Sequence, residues 1–269
     1  NQNKKENFQL YSSTNLNQWK IILKHSIHKY IESFDLWYDS ILISCRENGF
    51  PKLLIMNLKT FKIKTISFPE TFYSFDSISN LNPSYHKYKI IYNSFSQSKV
   101  IYEYDMKKHK LSILEKKTLK NHNPKNYIEG YFKINQLIIN YIYHKDLIQL
   151  NGKQSYPCYL YGYGSYGIID NPSFDKYGLS LIDRGYLYCI PQLRGSKFYG
   201  PSWYKQGKYL NKKNTFKDFQ SVAEYLISKN YTSPHQLCIE GGSAGGLLIG
   251  ACINMNPQYY NIAILRVPF

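Results

Sequence analysis

The sequence predicts two kinds of β structure in succession: antiparallel hairpins typical of β-propeller blades, then a mostly parallel α/β sheet. Up to about residue 125, short apolar strand patterns alternate with turn residues, and no long amphipathic helix pattern interrupts them. Beyond residues 121–126, strand patterns alternate with helix patterns, which is the order that builds a parallel sheet with flanking helices. We therefore expect one domain over 1–125 and a second over 126–269.

The first part contains strand patterns that come in pairs separated by turns. They cover 41–45, 53–58, 62–66, 89–94, 100–104 and 110–114. Residues 62–66 alternate polar with apolar side chains, as a half-buried strand does. The hairpins recur at about 40 to 50 residues, which is the period of a propeller blade. At that period 1–125 holds about three blades, so a closed ring needs more chain before Asn1.

The second part contains strand patterns at 137–143, 156–161, 185–191 and 237–240. Residues 185–191 are apolar almost throughout, which predicts a central strand buried on both faces. Thr215 and Asp218 have the Thr-x-x-acid spacing of a helix start. An apolar stripe at i, i+3, i+4 and i+7 follows, formed by Phe219, Val222, Ala223 and Leu226. Residues 245–255 are apolar enough for a buried helix.

A motif with chemical meaning lies between the strand at 237–240 and the helix at 245–255. Residues 241–246 read Gly-Gly-Ser-Ala-Gly-Gly and satisfy G-x-S-x-G, the nucleophile elbow of α/β-hydrolases. The elbow serine lies on a strained turn, so the positions two before and two after it need glycine. Such a turn exposes the Ser243 hydroxyl at a helix N-terminus, where the Ala244 N–H can stabilise an oxyanion. The alternative is a glycine-rich turn with a bystander serine.

A second glycine-rich segment has a competing interpretation. Residues 162–167 read Gly-Tyr-Gly-Ser-Tyr-Gly, nearly the G-x-G-x-x-G of a dinucleotide-binding turn. That fold requires a helix directly after the turn, whereas Asp170-Asn171-Pro172 follows here and breaks a helix. We therefore expect no nucleotide cofactor.

The charge balance raises nucleic-acid binding as another alternative. Lys and Arg total 34 against 18 Asp and Glu, a formal net charge of +16. Nearly all of these cations are lysines, spread along a chain that is also rich in Asn, Ile and Tyr. An AT-rich coding sequence produces such a composition, so we predict no nucleic-acid partner, and a basic binding module remains the alternative.

The five cysteines are widely spaced, odd in number and form no C-x-x-C pair, which suits neither a zinc site nor a disulfide framework. We expect them to be reduced, in a cytoplasmic protein without a metal. No apolar run is long enough to span a membrane. The start of the chain has neither an initiating Met nor the apolar core of a signal peptide, so the chain is expected to be a piece of a longer protein.

Residues from about 156 onward resemble the catalytic domain of the prolyl oligopeptidase family of serine peptidases, an α/β-hydrolase. Among its members they are most similar to the oligopeptidase B (protease II) branch, with Lys213-Asn214-Thr215-Phe216 and Ala244 as the distinguishing residues. Residues 1–125 more loosely resemble the last blades of the family's β-propeller. The matching stretches are 161–167, 179–185, 194–195, 203–204, 207–216 and 241–246.

The resemblance implies roles for the matching residues. Ser243 would be the nucleophile that forms an acyl-enzyme, and the Tyr163 hydroxyl and the Ala244 N–H would form the oxyanion hole. Asp218 and Arg194 match family positions, which we interpret as structural: a helix-start acid and a loop anchor. The implied substrates are short peptides cleaved after Lys or Arg, with no cofactor.

The match fails for the rest of the catalytic triad. Hydrolases with this elbow place Asp and then His after the serine, but 244–269 contains no His, Asp or Glu. His235 precedes the strand that leads to Ser243 and lies roughly 16 Å away at the other end of it. We therefore expect an incomplete α/β-hydrolase domain that is inactive alone. A prolyl-specific relative and a non-catalytic remnant are the alternatives.

Overall fold

The computed structural model describes residues 6–78 and 80–269. They divide into two compact units. The first comprises the chain up to Asn93 together with Ser98–Lys117 and Tyr199–Ser202, and the second comprises Ser94–Gln97, Thr118–Phe198 and Trp203–Phe269.

The first unit consists of β-strands joined by short turns. In chain order they are β1 (Leu10–Ser12), β2 (Lys20–Leu23), β3 (Lys29–Trp37), β4 (Ser40–Glu47), β5 (Phe50–Asn57), β6 (Ile63–Ile66), β7 (Ser74–Ser77), β8 (Lys87–Asn93), β9 (Val100–Asp105) and β10 (Lys110–Lys116). Strands β3 to β6 form one four-stranded antiparallel sheet and β7 to β10 another, each in sequential order. Strands β1 and β2 form a separate antiparallel pair.

The predicted antiparallel blades are therefore confirmed, and the two sheets begin at Lys29 and Ser74, within the expected spacing. The count differs from the expected three, because β1 and β2 pair only with each other among the described strands. Alternate side chains of the two four-stranded sheets share a core that includes Trp37, Leu42 and Tyr88. The opposite face of the β3–β6 sheet packs against Leu10 and Leu23 of the β1–β2 pair.

The second unit contains six strands with helices. The strands are β11 (Tyr127–Ile134), β12 (Leu137–His144), β13 (Cys158–Tyr161), β14 (Leu187–Pro191), β15 (Leu237–Gly242) and β16 (Ile262–Arg266). The helices are α1 (Lys176–Ile182), α3 (Lys213–Ser228) and α4 (Ala244–Met255), together with α2 (Pro201–Lys205), whose first two residues are assigned to the first unit. Single 3-10 turns lie at Pro124–Asn126, Tyr209–Asn211, Pro234–Gln236 and Pro257–Tyr259.

The six strands form one sheet in the order β11-β12-β14-β13-β15-β16. Strands β14, β13, β15 and β16 are mutually parallel, and β11 and β12 add an antiparallel edge. This is the mostly parallel sheet that the sequence predicts, and the chain covers part of the α/β-hydrolase fold. Strand β14 lies between two neighbours and is largely buried, as its apolar sequence indicates.

Helix α3 confirms the predicted apolar stripe and corrects the predicted start. Phe219 and Val222 in the stripe are fully buried. The helix begins at Lys213 and not at Thr215, and the side chain of its N-cap residue, Lys212, makes no capping hydrogen bond to the helix. Thr215 and Asp218 lie within the helix and are buried, so the interpretation of Asp218 as a helix-start acid is wrong.

The cysteines behave as small buried hydrophobes. All five are free and buried, four of them on strands and Cys252 on α4. Burial raises the pKa of the Cys238 thiol to about 11, so this thiol stays protonated at neutral pH. In the part of the chain that the structure describes, no helix combines the length and the apolar character that crossing a bilayer requires.

Candidate active site

Ser243 lies on a strained turn between β15 and α4. Its backbone has φ 53° and ψ −119°, a conformation that side chains other than glycine rarely adopt. Such a residue costs about 1–3 kcal/mol and persists only where the surrounding structure enforces it. The Ser243 N–H donates to the carbonyl of Arg266 on the neighbouring strand at 2.8 Å, which fixes the turn against the sheet.

The glycines around Ser243 are required by close backbone contacts. A Cβ on Gly241 would lie 2.3 Å from the carbonyl oxygen of Gly245. A Cβ on Gly245 would lie 2.6 Å from the carbonyl oxygen of Gly162. Neither contact is sterically possible, so the prediction that glycine is needed two residues before and after the serine is confirmed.

The hydroxyl of Ser243 has no hydrogen-bond partner within 6–78 or 80–269, and the residue is partly exposed. Ala244 is the first residue of α4, and its side chain is buried. The first amides of a helix have no acceptor within that helix, and the helix dipole is positive at this end. The turn therefore places a serine hydroxyl beside amide donors.

Tyr163 reaches the same place from the adjacent parallel strand. It follows β13 and stands between Gly162 and Gly164, and the Gly162 N–H donates to Glu240 O at 2.9 Å. A Cβ on Gly245 would lie 3.4 Å from both the Cα and the Cδ2 of Tyr163. The structure thus brings the Tyr163 ring next to the first turn of α4, two residues from Ser243.

Burial raises the pKa of the Tyr163 phenol, with smaller contributions from Tyr166 and Asp170. The hydroxyl is therefore a proton donor at neutral pH and not a phenolate. Burial alone raises the pKa of the Asp170 carboxyl to about 7.

Two ion pairs hold the segments around the site. Glu240 on β15 pairs with Arg266 on β16. Burial raises the pKa of the Glu240 carboxyl, and Arg266 opposes that shift. The Arg194 Nε donates to Asp218 at 2.8 Å and the Arg194 N–H does so at 3.0 Å, which raises the pKa of the guanidinium. Arg194 is thus the loop anchor that the sequence predicts, and its partner is inside α3.

Sequence reasoning missed Glu240, and it missed Lys212, whose ammonium donates to Gly164 O and to the Ser165 hydroxyl, each at 2.7 Å. Glu240 stands directly before the elbow motif, which is a signal that could have singled it out. Lys212, Thr215 and Asp218 are spaced three residues apart, and that spacing would have placed them on one helix face.

No histidine of the described ranges hydrogen-bonds the Ser243 hydroxyl. His235 lies in the 3-10 turn before β15, at the opposite end of the strand from Ser243, as the sequence predicts. Within the described ranges, no group of three or more His, Cys, Asp or Glu side chains could hold a metal ion.

Comparison with known proteins identifies the family. Residues 172–269 match the model of the prolyl oligopeptidase family, and residues 3–117 match the model of the prolyl oligopeptidase N-terminal β-propeller domain. Protease 2 of Moraxella lacunata is 31% identical over 258 residues, which is 92% of this chain and 36% of that protein. The chain thus spans little more than a third of this curated relative.

Solved structures agree with this match. The oligopeptidase B of Leishmania major superimposes with a TM-score of 0.89 at 27% identity, covering 100% of this chain and 40% of that one. The oligopeptidase B of Trypanosoma brucei with covalently bound antipain gives a TM-score of 0.84 at 31% identity, covering 93% and 37%. The chain belongs to the prolyl oligopeptidase family and is similar to the oligopeptidase B members named above.

Proposed function

We propose that this chain supplies the nucleophile and oxyanion hole of a serine-type oligopeptidase. The observation that carries the proposal is the strained backbone of Ser243 at the N-terminus of α4. Ser243 is held at φ 53°, and the glycines two residues before and after it admit no side chain. The rest of the fold enforces this strained backbone at a cost in free energy, and such strain concentrates at functional sites.

We also propose that the chain divides at residue 125 into a propeller portion and a catalytic portion.

The proposed chemistry is acyl transfer. The Ser243 hydroxyl oxygen attacks the peptide carbonyl carbon, a base takes its proton, and the carbonyl oxygen becomes an oxyanion. The Ala244 N–H and the Tyr163 hydroxyl donate to that oxyanion, and the dipole of α4 adds to its stabilisation. The oxyanion then collapses, the C–N bond breaks, and the amine leaves with the proton that the base returns to it; water next attacks the ester on Ser243, gives a proton to the same base, and releases the acid as Ser243 regains its proton. None of these steps uses a metal or a cofactor.

The base must come from outside the described residues. A general base works within hydrogen-bond reach of its proton, about 3 Å, and no described histidine bonds Ser243. We therefore expect the polypeptide 1–269 by itself to hydrolyse peptides at trace rates only, because oxyanion and binding effects survive the loss of triad members.

For the substrate, we propose short peptides cleaved after Lys or Arg. The similarity to Protease 2 and to two oligopeptidase B structures supports this preference over the prolyl-specific alternative. The antipain covalently bound in the Trypanosoma brucei relative fits a peptidase that has a reactive nucleophile. The free buried cysteines fit a reducing compartment, and we propose a cytoplasmic location.

The test is peptide turnover by the whole gene product that contains this chain. We expect cleavage after Lys and Arg, a loss of at least about 1,000-fold in kcat for Ser243→Ala, and a loss of about 10- to 100-fold for Tyr163→Phe. Ser228→Ala is the matched control, because its hydroxyl lies on the exposed end of α3 and bonds Tyr225 O of the same helix. Full activity in Ser243→Ala would refute the proposal, and cleavage only after Pro would support the prolyl-specific alternative.

A further inference from the structure

Three side chains at the start of α3 contact loops at the carboxyl edge of the sheet. Lys212, Thr215 and Asp218 are three residues apart, so they lie along one side of the helix. Asp218 binds Arg194, and the Thr215 hydroxyl donates to Arg194 O at 2.8 Å. Lys212 reaches the other loop, the glycine-rich segment 162–167. One helix face thus holds both loops.

Lys212 is placed unlike a solvated surface lysine. Its ammonium is partly buried and donates to two neutral acceptors, the Gly164 carbonyl and the Ser165 hydroxyl, each at 2.7 Å. No carboxylate in the described part of the chain pairs with it. Burial lowers the pKa of Lys212 to about 8, which is the cost of holding the ammonium there. Lys212 therefore serves this loop through two hydrogen bonds to neutral acceptors.

The Gly164 carbonyl has little freedom to find another partner. Gly164 is buried, and a Cβ on Gly195 would lie 2.0 Å from its carbonyl oxygen. On the other side, a Cβ on Gly164 itself would lie 2.4 Å from Thr215 Cγ2. The loop backbone is packed between its neighbours, and Lys212 satisfies the acceptor that this packing would otherwise bury unpaired.

Gly164 is joined directly to Tyr163, so what fixes one constrains the other. We propose that Lys212 is a positioning residue that holds the 163–165 backbone and thereby keeps the Tyr163 hydroxyl at the oxyanion site. The inference rests on the function proposed above and adds a residue to it. Lys212 touches neither Ser243 nor, in this account, the substrate.

The anchoring part is tested by amide hydrogen exchange on the purified whole gene product. In Lys212→Met we expect amides in the peptide spanning 162–168 to exchange at least about fivefold faster, with strands β14 and β15 unchanged. Lys208→Met is the matched control, since its ammonium lies over the rings of Tyr204 and Tyr209, away from the two acceptors that Lys212 bonds. Unchanged exchange in 162–168 would overturn the proposal.

The catalytic part is tested by kinetics of the whole gene product. Lys212→Met should lower kcat about tenfold with KM within about twofold of wild type, because a misplaced donor weakens transition-state binding. In a Tyr163→Phe background, the same substitution should cost less than about twofold, since the two residues act as a unit. Equal losses in both backgrounds would overturn the proposal.

Two further variants keep the outcomes distinct. If Lys212→Met does not fold, Ser165→Ala removes one acceptor only and should give a smaller loosening of 162–168 in the same direction. Lys212→Arg keeps the hydrogen-bond donors and should retain most of the wild-type kcat. If Ser165→Ala leaves the exchange of 162–168 unchanged and Lys212→Arg loses as much kcat as Lys212→Met, the positioning role is contradicted. If Tyr163→Phe keeps full kcat while Lys212→Met loosens 162–168, the oxyanion assignment fails and the anchoring stands.

Discussion

The two glycine-rich turns at 162–167 and 241–246 follow adjacent parallel strands and are held in different ways. The elbow at 241–246 has a local backbone contact, the close packing of Gly241 on the Gly245 carbonyl, in addition to the bond from Ser243 to Arg266 O on the neighbouring strand. The turn at 162–167 is held by side chains of a helix about 50 residues later, through the Lys212 ammonium. A turn with a local cause can be recognised from its own sequence, and a turn with a distant cause cannot.

The largest expected effect comes from breaking the Arg194–Asp218 pair, which joins α3 to a loop that is distant in sequence. Arg194→Met leaves the carboxylate of Asp218 buried without its partner. We expect the free energy of unfolding to fall by about 3 kcal/mol, measured by urea denaturation. A loss below about 0.5 kcal/mol would mean that the pair does not hold the loop.

Two controls separate the pair from a general effect of losing an arginine. Arg184→Met removes an exposed guanidinium that bonds Ser180, so we expect a change of less than about 0.5 kcal/mol. The double variant Arg194→Met with Asp218→Leu removes the orphaned charge as well. It should recover part of the lost stability, because apolar replacements of a buried pair are often tolerated.

The next largest effect is expected in the elbow at 241–246. In Gly241→Ala the added Cβ would lie 2.3 Å from Gly245 O, so the turn and α4 must separate. We expect a loss of about 2 kcal/mol in unfolding free energy and of more than about 100-fold in acylation rate, because the nucleophile moves away from its donors. An alanine variant with wild-type stability would show that the turn is not closely packed.

The smallest effect is a control with the opposite sign. Gly250 lies in α4, and a Cβ there would meet Leu265 Cδ2 at 3.6 Å, an ordinary van der Waals contact. Gly250→Ala should therefore raise the free energy of unfolding by about 0.5–1 kcal/mol, because alanine favours the helix. Thermal denaturation of Gly241→Ala and Gly250→Ala side by side would show opposite shifts of the midpoint.

The sequence predicted the parts of the fold whose causes are local. Strand β14 is apolar and central, α4 is apolar and follows the elbow, and the stripe on α3 is buried. In each case the hydrophobic period and the glycine positions lie within one short segment. The strained backbone of Ser243 follows from the same kind of local pattern.

The parts that could not be predicted depend on long-range partners. The Thr215–Asp218 spacing looked like a helix cap, yet Asp218 binds Arg194, 24 residues earlier, and the helix begins at Lys213, before Thr215. Helix-capping patterns take account only of nearby backbone amides, so they do not identify an acid that bonds a distant loop. Lys212 was overlooked for the same reason, since nothing adjacent to it marks an inward-facing lysine.

The most direct test of the central claim is covalent labelling of the whole gene product with a fluorophosphonate probe, followed by peptide mass spectrometry. The account predicts one adduct, on the peptide that contains Ser243, and its loss in Ser243→Ala. Turnover of peptides with the adduct on another residue, or with Ser243 unlabelled, would contradict it.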